Sequence, residues 1–386
     1  MQIRIPAVLM RGGTSRGLFF HENHLPKDHK LRDRIILAAY GSPDPNRRQI
    51  NGIGGAHSTT SKTAIISPSS DPDYDVVYNF GQVSIDRPII DYKGNCGNIS
   101  AAVGPFAVDE GLVAAREPIT TVRIYQKNTR KLIVAEVPVK NGCYNEQGEF
   151  AIDGVPGTGG KITLHFFEPA GAVTGKLFPT GNPKDVMDVP GIGRVTFTLI
   201  DAANPLIFIA PETIGLSGTE IEEIDTSETI KQKLEAIRSR AAVLIGLCET
   251  PQEATISCQA VPKIAIISEP RDYKTTGGRL VTKNEIDLVV RSMTMGTLHR
   301  AYQVTGAIPT AGAAMMEGTI IYERVNKEVL EKGIIRLGHP GGIIEAGAVV
   351  EKINNQYVFK EATIGRTARR LMEGYVMVPE AVAKAW

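Results

Sequence analysis

Short apolar runs dominate the chain, and many alternate hydrophobic with polar positions: DVVYNFGQVSI (75–85), ITTVRIYQ (119–126) and RVTFTLI (194–200). Such alternation predicts strands, because successive side chains of an extended chain point to opposite faces. Spacing near 3.6 is rarer. It occurs in TSETIKQKLEAIRSRAAVLIGL (226–247), which predicts a peripheral helix in the second half. Two further helices are expected where small apolar residues cluster, in GNCGNISAAVGPFAVDEGLV (94–113) and GTLHRAYQVTGAIPTAGAAM (296–315). Few long helices, and β-rich runs broken by 39 glycines and 23 prolines, give the fold class α+β.

The pattern repeats. KTAIIS (62–67) and KIAIIS (263–268) are near-identical strand-like runs about half the chain apart. Upstream of each lies strand, small-residue turn, strand: IRIPAVLMRGGTSRGLFF (3–20) and VTFTLIDAANPLIFI (195–209). Downstream of each lies one of the small-residue helices. Each half closes on a hairpin pattern, LIVAEVPVKNGCYNEQGEFAIDG (132–154) and IIEAGAVVEKINNQYVFKEATIG (343–365). Two related, pseudo-symmetric domains are expected, residues 1–185 and 186–386, each wrapping strands round a central helix. The length of 386 residues suits two domains, since single domains tend toward roughly 100–200 residues. A cleft between sister halves is a natural place for a small-molecule site.

Composition narrows the ligand. Lys and Arg number 43 against 42 Asp and Glu, so no charge excess attracts nucleic acid or an anionic membrane, and any affinity for anions is local. No apolar run nears the ~18 residues that span a bilayer. MQIRIPAVLMRGG (1–13) lacks the basic head and long apolar segment of a secretory signal, so a cytoplasmic location is expected. Cys96, Cys143, Cys248 and Cys258 form no CxxC pair and read as reduced thiols. The seven histidines are scattered, so neither zinc nor another metal is expected.

Three stretches could carry chemistry. In GNCGN (94–98), Cys96 lies at the mouth of a predicted helix, where unpaired N–H groups and the macrodipole favour negative charge. Such a position generally favours a thiolate and also cradles a carboxylate. Gly94 and Gly97 allow close approach of a ligand, and Asn95 or Asn98 can cap the helix; the plain alternative is a capped helix with a buried small thiol. In GIGGAHSTTSKTAIIS (52–67), Lys62 sits where a Gly/Ser/Thr loop becomes a strand. Partial burial there would favour the neutral amine, the form that takes a proton, whereas an ordinary surface lysine would have no such role. Lys263 is its counterpart, and one site needs only one such base, so one of the two lysines is expected to be structural. In RGGTSRG (11–17), turn N–H groups, the Thr14 and Ser15 hydroxyls and the Arg11 or Arg16 guanidinium suit carboxylates, although a plain turn is equally compatible. His299 and His339 are weaker acid/base candidates. No phosphate loop, dinucleotide fingerprint or Ser/His/Asp pattern appears, which leaves a cofactor-independent enzyme acting on a small polyanion.

MRGGTSRGLFF (10–20), GSPDP (41–45), GIGGAHSTTSKTAIIS, YNFGQVSID (78–86), GNCGNISAAVGPFA, FPTGN (178–182), PKIAIIS and ARRLMEGYV (368–376) together resemble the PrpF family over nearly the whole chain. The resemblance implies a fold like that of diaminopimelate epimerase. It also implies metal-free isomerisation of an unsaturated tricarboxylate: 2-methylaconitate or aconitate foremost, 4-oxalomesaconate tautomerisation as the alternative. Lys62 matches the family's general base and Cys96 its substrate-facing cysteine. Substrate contacts are expected from Arg11, Gly12, Gly13, Thr14, Ser15, Arg16, Ser61, Asn95, Gly97, Asn98, Thr180, Gly181, Asn182, Ser292, Met293 and His339.

Two departures matter. Arg16 stands where RGGTSKG is usual, which keeps the charge but changes donor geometry. The second small-residue helix has no cysteine at its mouth, which disfavours an epimerase using two thiols and makes Ser292, Met293 and Met295 candidates for shaping the pocket on that side. A reading of another class is a non-catalytic accessory to an iron–sulfur, aconitase-type dehydratase. Functional pairing with such a dehydratase and a homodimer are both left open by the sequence.

Overall fold

The strand order of the first half recurs in the second. The computed structural model describes residues 1–383. β1 (Gln2–Gly12) turns back into β2 (Ser15–His21), which runs parallel to β3 (Lys62–Pro68). β3 pairs antiparallel with β4 (Val76–Val83), β4 parallel with β5 (Ile119–Gln126), β5 antiparallel with β6 (Lys131–Lys140), and β6 antiparallel with β7 (Ile162–Phe167). In the second half β8 (Gly193–Ala202), β9 (Asn204–Ile209), β10 (Lys263–Ser268), β11 (Leu288–Thr294), β12 (Ile334–His339), β13 (Gly342–Ile353) and β14 (Gln356–Arg366) pair in the same order with the same directions. α2 (Gly97–Asp109) and α4 (Val304–Ala314) occupy equivalent places after β4 and β11.

The halves are stitched into one hydrogen-bonded sheet. β7 pairs antiparallel with β14, Ile162 opposite Arg366. The C-terminal strand β15 (Ala368–Pro379) lies antiparallel on β1, so the chain's last strand completes the first-half sheet.

Burial explains the composition of the elements. α1 (His29–Tyr40) covers one face of β2 and β3, with Ile35 and Ile36 against Leu18, Phe20 and Ile65, while Phe19, Ala64 and Ile66 face the α2 side. Strands covered on both faces lose their alternation, which is why LFF and AIIS read as continuous apolar runs. The hydrophobic spacing does not single out α1, although Asp28 caps its start, accepting from Leu31 N–H at 2.7 Å, and Gly41 ends it at φ 69°. Every residue from Gly97 to Val108 and all of α4 are buried, so these helices carry Ala, Gly and Ser all round rather than an amphipathic stripe. The helix predicted over 226–247 is α3 (Glu228–Leu244), peripheral as expected, with Leu234, Ile237 and Ala241 packed against the β8–β10 side. Among the described residues no helix is long and apolar enough to cross a membrane.

Candidate active site

Lys62 is the first residue of β3 and is buried, 7% exposed. Its carbonyl accepts from the Tyr40 hydroxyl, which in turn accepts from Leu18 N–H at 2.8 Å, so a phenol from α1 fixes the strand end between β2 and β3. The side chain is fixed as well. Gln82, opposite Lys62 across β4, gives its amide hydrogens to the carbonyls of Ser58 and Ser61 at 3.1 and 3.0 Å, which leaves only Gln82 Oε1 to accept from Lys62 Nζ. Burial drives the Lys62 ammonium below its usual range, while Cys96 opposes this by charge and side-chain hydrogen bonding.

Cys96 is the N-cap residue of α2, and no side chain caps that helix. The first turn closes by Ser100 N–H on the Cys96 carbonyl at 2.9 Å. α4 likewise starts after Gln303 without a side-chain cap. The two starts meet: a Cβ on Gly97 would strike the Val304 side chain. Two helix N-termini with free amides therefore open on one space, and both concentrate positive potential there.

That space is a cavity between the two helix starts, partly open to solvent. From the first half it is lined by Ser15, Lys62, Phe80, Gln82 and residues 94–98. From the second half come Asn204, Ala260, Lys263, Thr294, Met295, His299 and residues 303–305. Among the described residues no Asp or Glu lines it. Burial pushes Lys263 down to about 8 and His299 down to about 3, so His299 is a neutral imidazole here. Ser15 Oγ is buried, and among the described residues it has no hydrogen-bond partner. Among the described residues no group of three or more His, Cys, Asp or Glu side chains is placed to hold a metal ion.

A family model described as PrpF protein matches residues 2–379. The chain belongs to the PrpF family. It is 43% identical to 2-methyl-aconitate isomerase of Shewanella oneidensis over 391 residues, covering 98% of each chain. A crystal structure of methylitaconate-delta-isomerase aligns with a TM-score of 0.80 at 44% identity, covering 99% of this chain and 97% of that one. A hydroxyproline epimerase from Agrobacterium vitis shares the fold alone, with a TM-score of 0.58 at 12% identity over 97% of this chain and 92% of that one.

The PrpF motifs separate into those that reach the cavity and those that build its walls. Lys62, Cys96, Asn95, Gly97, Asn98 and Ser15 reach it. Neither asparagine caps α2. Asn95 and Asn204 exchange two hydrogen bonds, at 2.9 and 2.8 Å, tying the α2 entry to the start of β9. Asn98 donates to Thr14 Oγ1 at 3.1 Å and accepts from Arg366 Nε at 3.2 Å, so it anchors the β1–β2 turn. Gly12 and Gly13 pack so closely on Asn98 that a Cβ at either would collide with it.

Other expected contacts lie outside the cavity lining. Arg11 donates to the Gly13 and Thr367 carbonyls, both at 3.0 Å, and is a brace for the turn. Arg16 is not among the lining residues, and Thr14 faces an outer groove with His57 and Arg300. Ser61 is fully buried, donating to Gln49 Oε1 at 2.8 Å. Ser292 is fully buried behind Thr294, its hydroxyl on the Ile264 carbonyl at 3.1 Å; Met293, one residue on, points to the opposite face of β11 and joins the core with Phe197. His339 is buried, accepting from Gly341 N–H at 3.1 Å, and burial holds it well below its usual range. Thr180, Gly181 and Asn182 form a surface turn closed by Asn182 Nδ2 on Asp185 at 2.8 Å.

Lys62 and its repeat counterpart Lys263 both line the cavity. The duplication itself was the signal. Gln82, Asn204, Thr294 and Gln303 also line the cavity, and motif reading missed them because only strand register and helix packing place them there.

Proposed function

We propose that this chain moves a C=C bond in an unsaturated tricarboxylate by an allylic proton shift, acting on 2-methylaconitate or aconitate, with 4-oxalomesaconate tautomerisation as the alternative. The observation that carries this reading is the cavity lining: two buried amines, a thiol, two uncapped helix starts and no carboxylate. Such a lining attracts a polyanion and supplies an amine base. The names of the relatives, 2-methyl-aconitate isomerase and methylitaconate-delta-isomerase, support the same class.

In this mechanism neutral Lys62 takes a proton from the carbon next to the double bond. The freed electron pair forms a new C=C bond, and the old one shifts its electrons onto the conjugated carboxylate. Amides at the helix starts stabilise that dienolate, a contribution of about 3–4 kcal/mol per well-placed donor. Return of a proton to the other end of the allylic system, either from the Lys62 ammonium or from the Cys96 thiol with the Lys62 ammonium then passing its proton to the Cys96 thiolate, completes the shift with no net gain or loss of atoms. Residues 1–185 and 186–386 serve as the two sister halves that close on the acid, the last strand crossing back to β1.

Incubation in D2O with 2-methylaconitate, cis-aconitate, trans-aconitate and 4-oxalomesaconate tests this. Isomer change with deuterium uptake is expected for at least one. Tight binding without exchange for all four would instead favour the accessory reading.

A further inference from the structure

Lys263 mirrors Lys62 across the repeat, and among the described residues no counter-ion meets its amine. Each lysine opens the third strand of its half, Lys62 beside Gly17 and Lys263 beside Leu206. On the following strand they differ. Lys62 faces Gln82, whose oxygen accepts from its Nζ. The register that sets Ile264 opposite Met293 brings Lys263 to Thr294, whose hydroxyl oxygen already accepts from Gln303 Nε2 at 3.2 Å. The groups acting on Lys263 from neighbouring elements are Cys96 at the α2 start, Lys62 on β3 and Asp91 in the strand segment before α2; Lys263 in turn acts on His299. Asp91 is the one acid among them, and its oxygens accept from Lys93 N–H at 2.8 Å and Ala260 N–H at 3.3 Å. Among the described residues Lys263 makes no salt bridge, although it is only 8% exposed. A buried ammonium without a counter-ion is costly unless a ligand supplies one.

We propose that Lys263 is the cation on the second-half wall that receives a carboxylate of the substrate and holds it as the charge of the deprotonated acid spreads. This rests on the isomerase reading above and adds a division of labour between the two amines: Lys62 moves the proton and Lys263 binds the anion. Binding would then pull a proton onto Lys263, because an adjacent carboxylate favours the ammonium that burial disfavours.

The test uses propane-1,2,3-tricarboxylate, which is saturated and cannot isomerise, titrated calorimetrically just above pH 8 in two buffers of different ionisation enthalpy. The wild-type protein should take up a fraction of a proton per ligand. Lys263→Met should lose that uptake and bind about ten- to hundredfold more weakly, whereas Lys263→Arg should restore binding without the uptake. Absence of uptake by the wild type, or unchanged affinity in a Lys263→Met protein shown folded by circular dichroism, would overturn the proposal. The outcomes for the two readings separate. Lys263-dependent binding with no isomerisation of any acid upholds this assignment and removes the isomerase reading; isomerisation with Lys263-independent binding does the reverse.

Discussion

Gln82 holds Lys62 by its oxygen alone, because both hydrogens of its amide are committed to the carbonyls of Ser58 and Ser61. Lys62 is thus held by a neutral acceptor rather than a carboxylate. A carboxylate in that place would stabilise the ammonium and oppose the lowering that burial causes.

Lys62→Ala should lower kcat/KM by about 10²–10⁴, the usual weight of a positioned general base. Gln82→Glu should leave the amine in place but raise its pKa, so the rising limb of the pH–rate profile should move to higher pH. A profile unchanged in Gln82→Glu would show that Lys62 does not titrate in the reaction. Cys96→Ser should be impaired and still active, since a water or hydroxyl can relay the proton.

Gly97→Ala tests the meeting of the helix starts. The added methyl would run into Val304, on the opposing helix and within a packed core. Overpacking of this kind costs about 1–3 kcal/mol, measurable by urea unfolding. KM for the tricarboxylate should rise as well, because parting the helices misaligns their amides; an unchanged KM would argue that those amides do not touch the substrate.

Asn98→Ala should destabilise the fold by about 1–3 kcal/mol. It removes the acceptor for Arg366 Nε and the donor to Thr14, leaving a buried guanidinium that burial already pushes down to about 9. Equilibrium unfolding of the variant against the wild type measures this. If Asn98 merely capped α2, the loss would resemble that of a cap and the β1–β2 turn would keep its protection from hydrogen exchange.

Stability should depend on pH through Lys263. Its folded-state pKa of about 8 lies below the unfolded value of 10.5, so the unfolded chain binds more protons between these limits and stability rises with pH there. The penalty is complete below pH 8 and is relieved as pH approaches 10.5, about 3 kcal/mol in all. Comparing wild type with Lys263→Met cancels the other titrating groups to first order. The wild type should gain on the variant across that window, and parallel stability curves would mean that Lys263 is not buried as a charge.

Local chemistry was legible where the sequence speaks in short range. Alternation gave the strands, the KxAIIS repeat gave the duplication, and the small-residue runs gave α2 and α4, because a helix buried on every side tolerates little else. Lys62 and Cys96 were legible too, each sitting at a junction between loop and regular element. What the sequence left undecided depends on contacts between distant positions. Asn98 reads as a cap until Thr14 and Arg366 are seen to claim its side chain, and Lys263 reads as a spare copy of Lys62 until β3 and β10 are brought to one cavity. Met293 and Ser292 are adjacent in sequence and end on opposite faces of a strand, a matter of register that composition does not encode. The residue types of the site were therefore fixed by the chain, and their assembly by tertiary packing. Burial and charge act through space, and only the folded sheet decides which groups share a buried space.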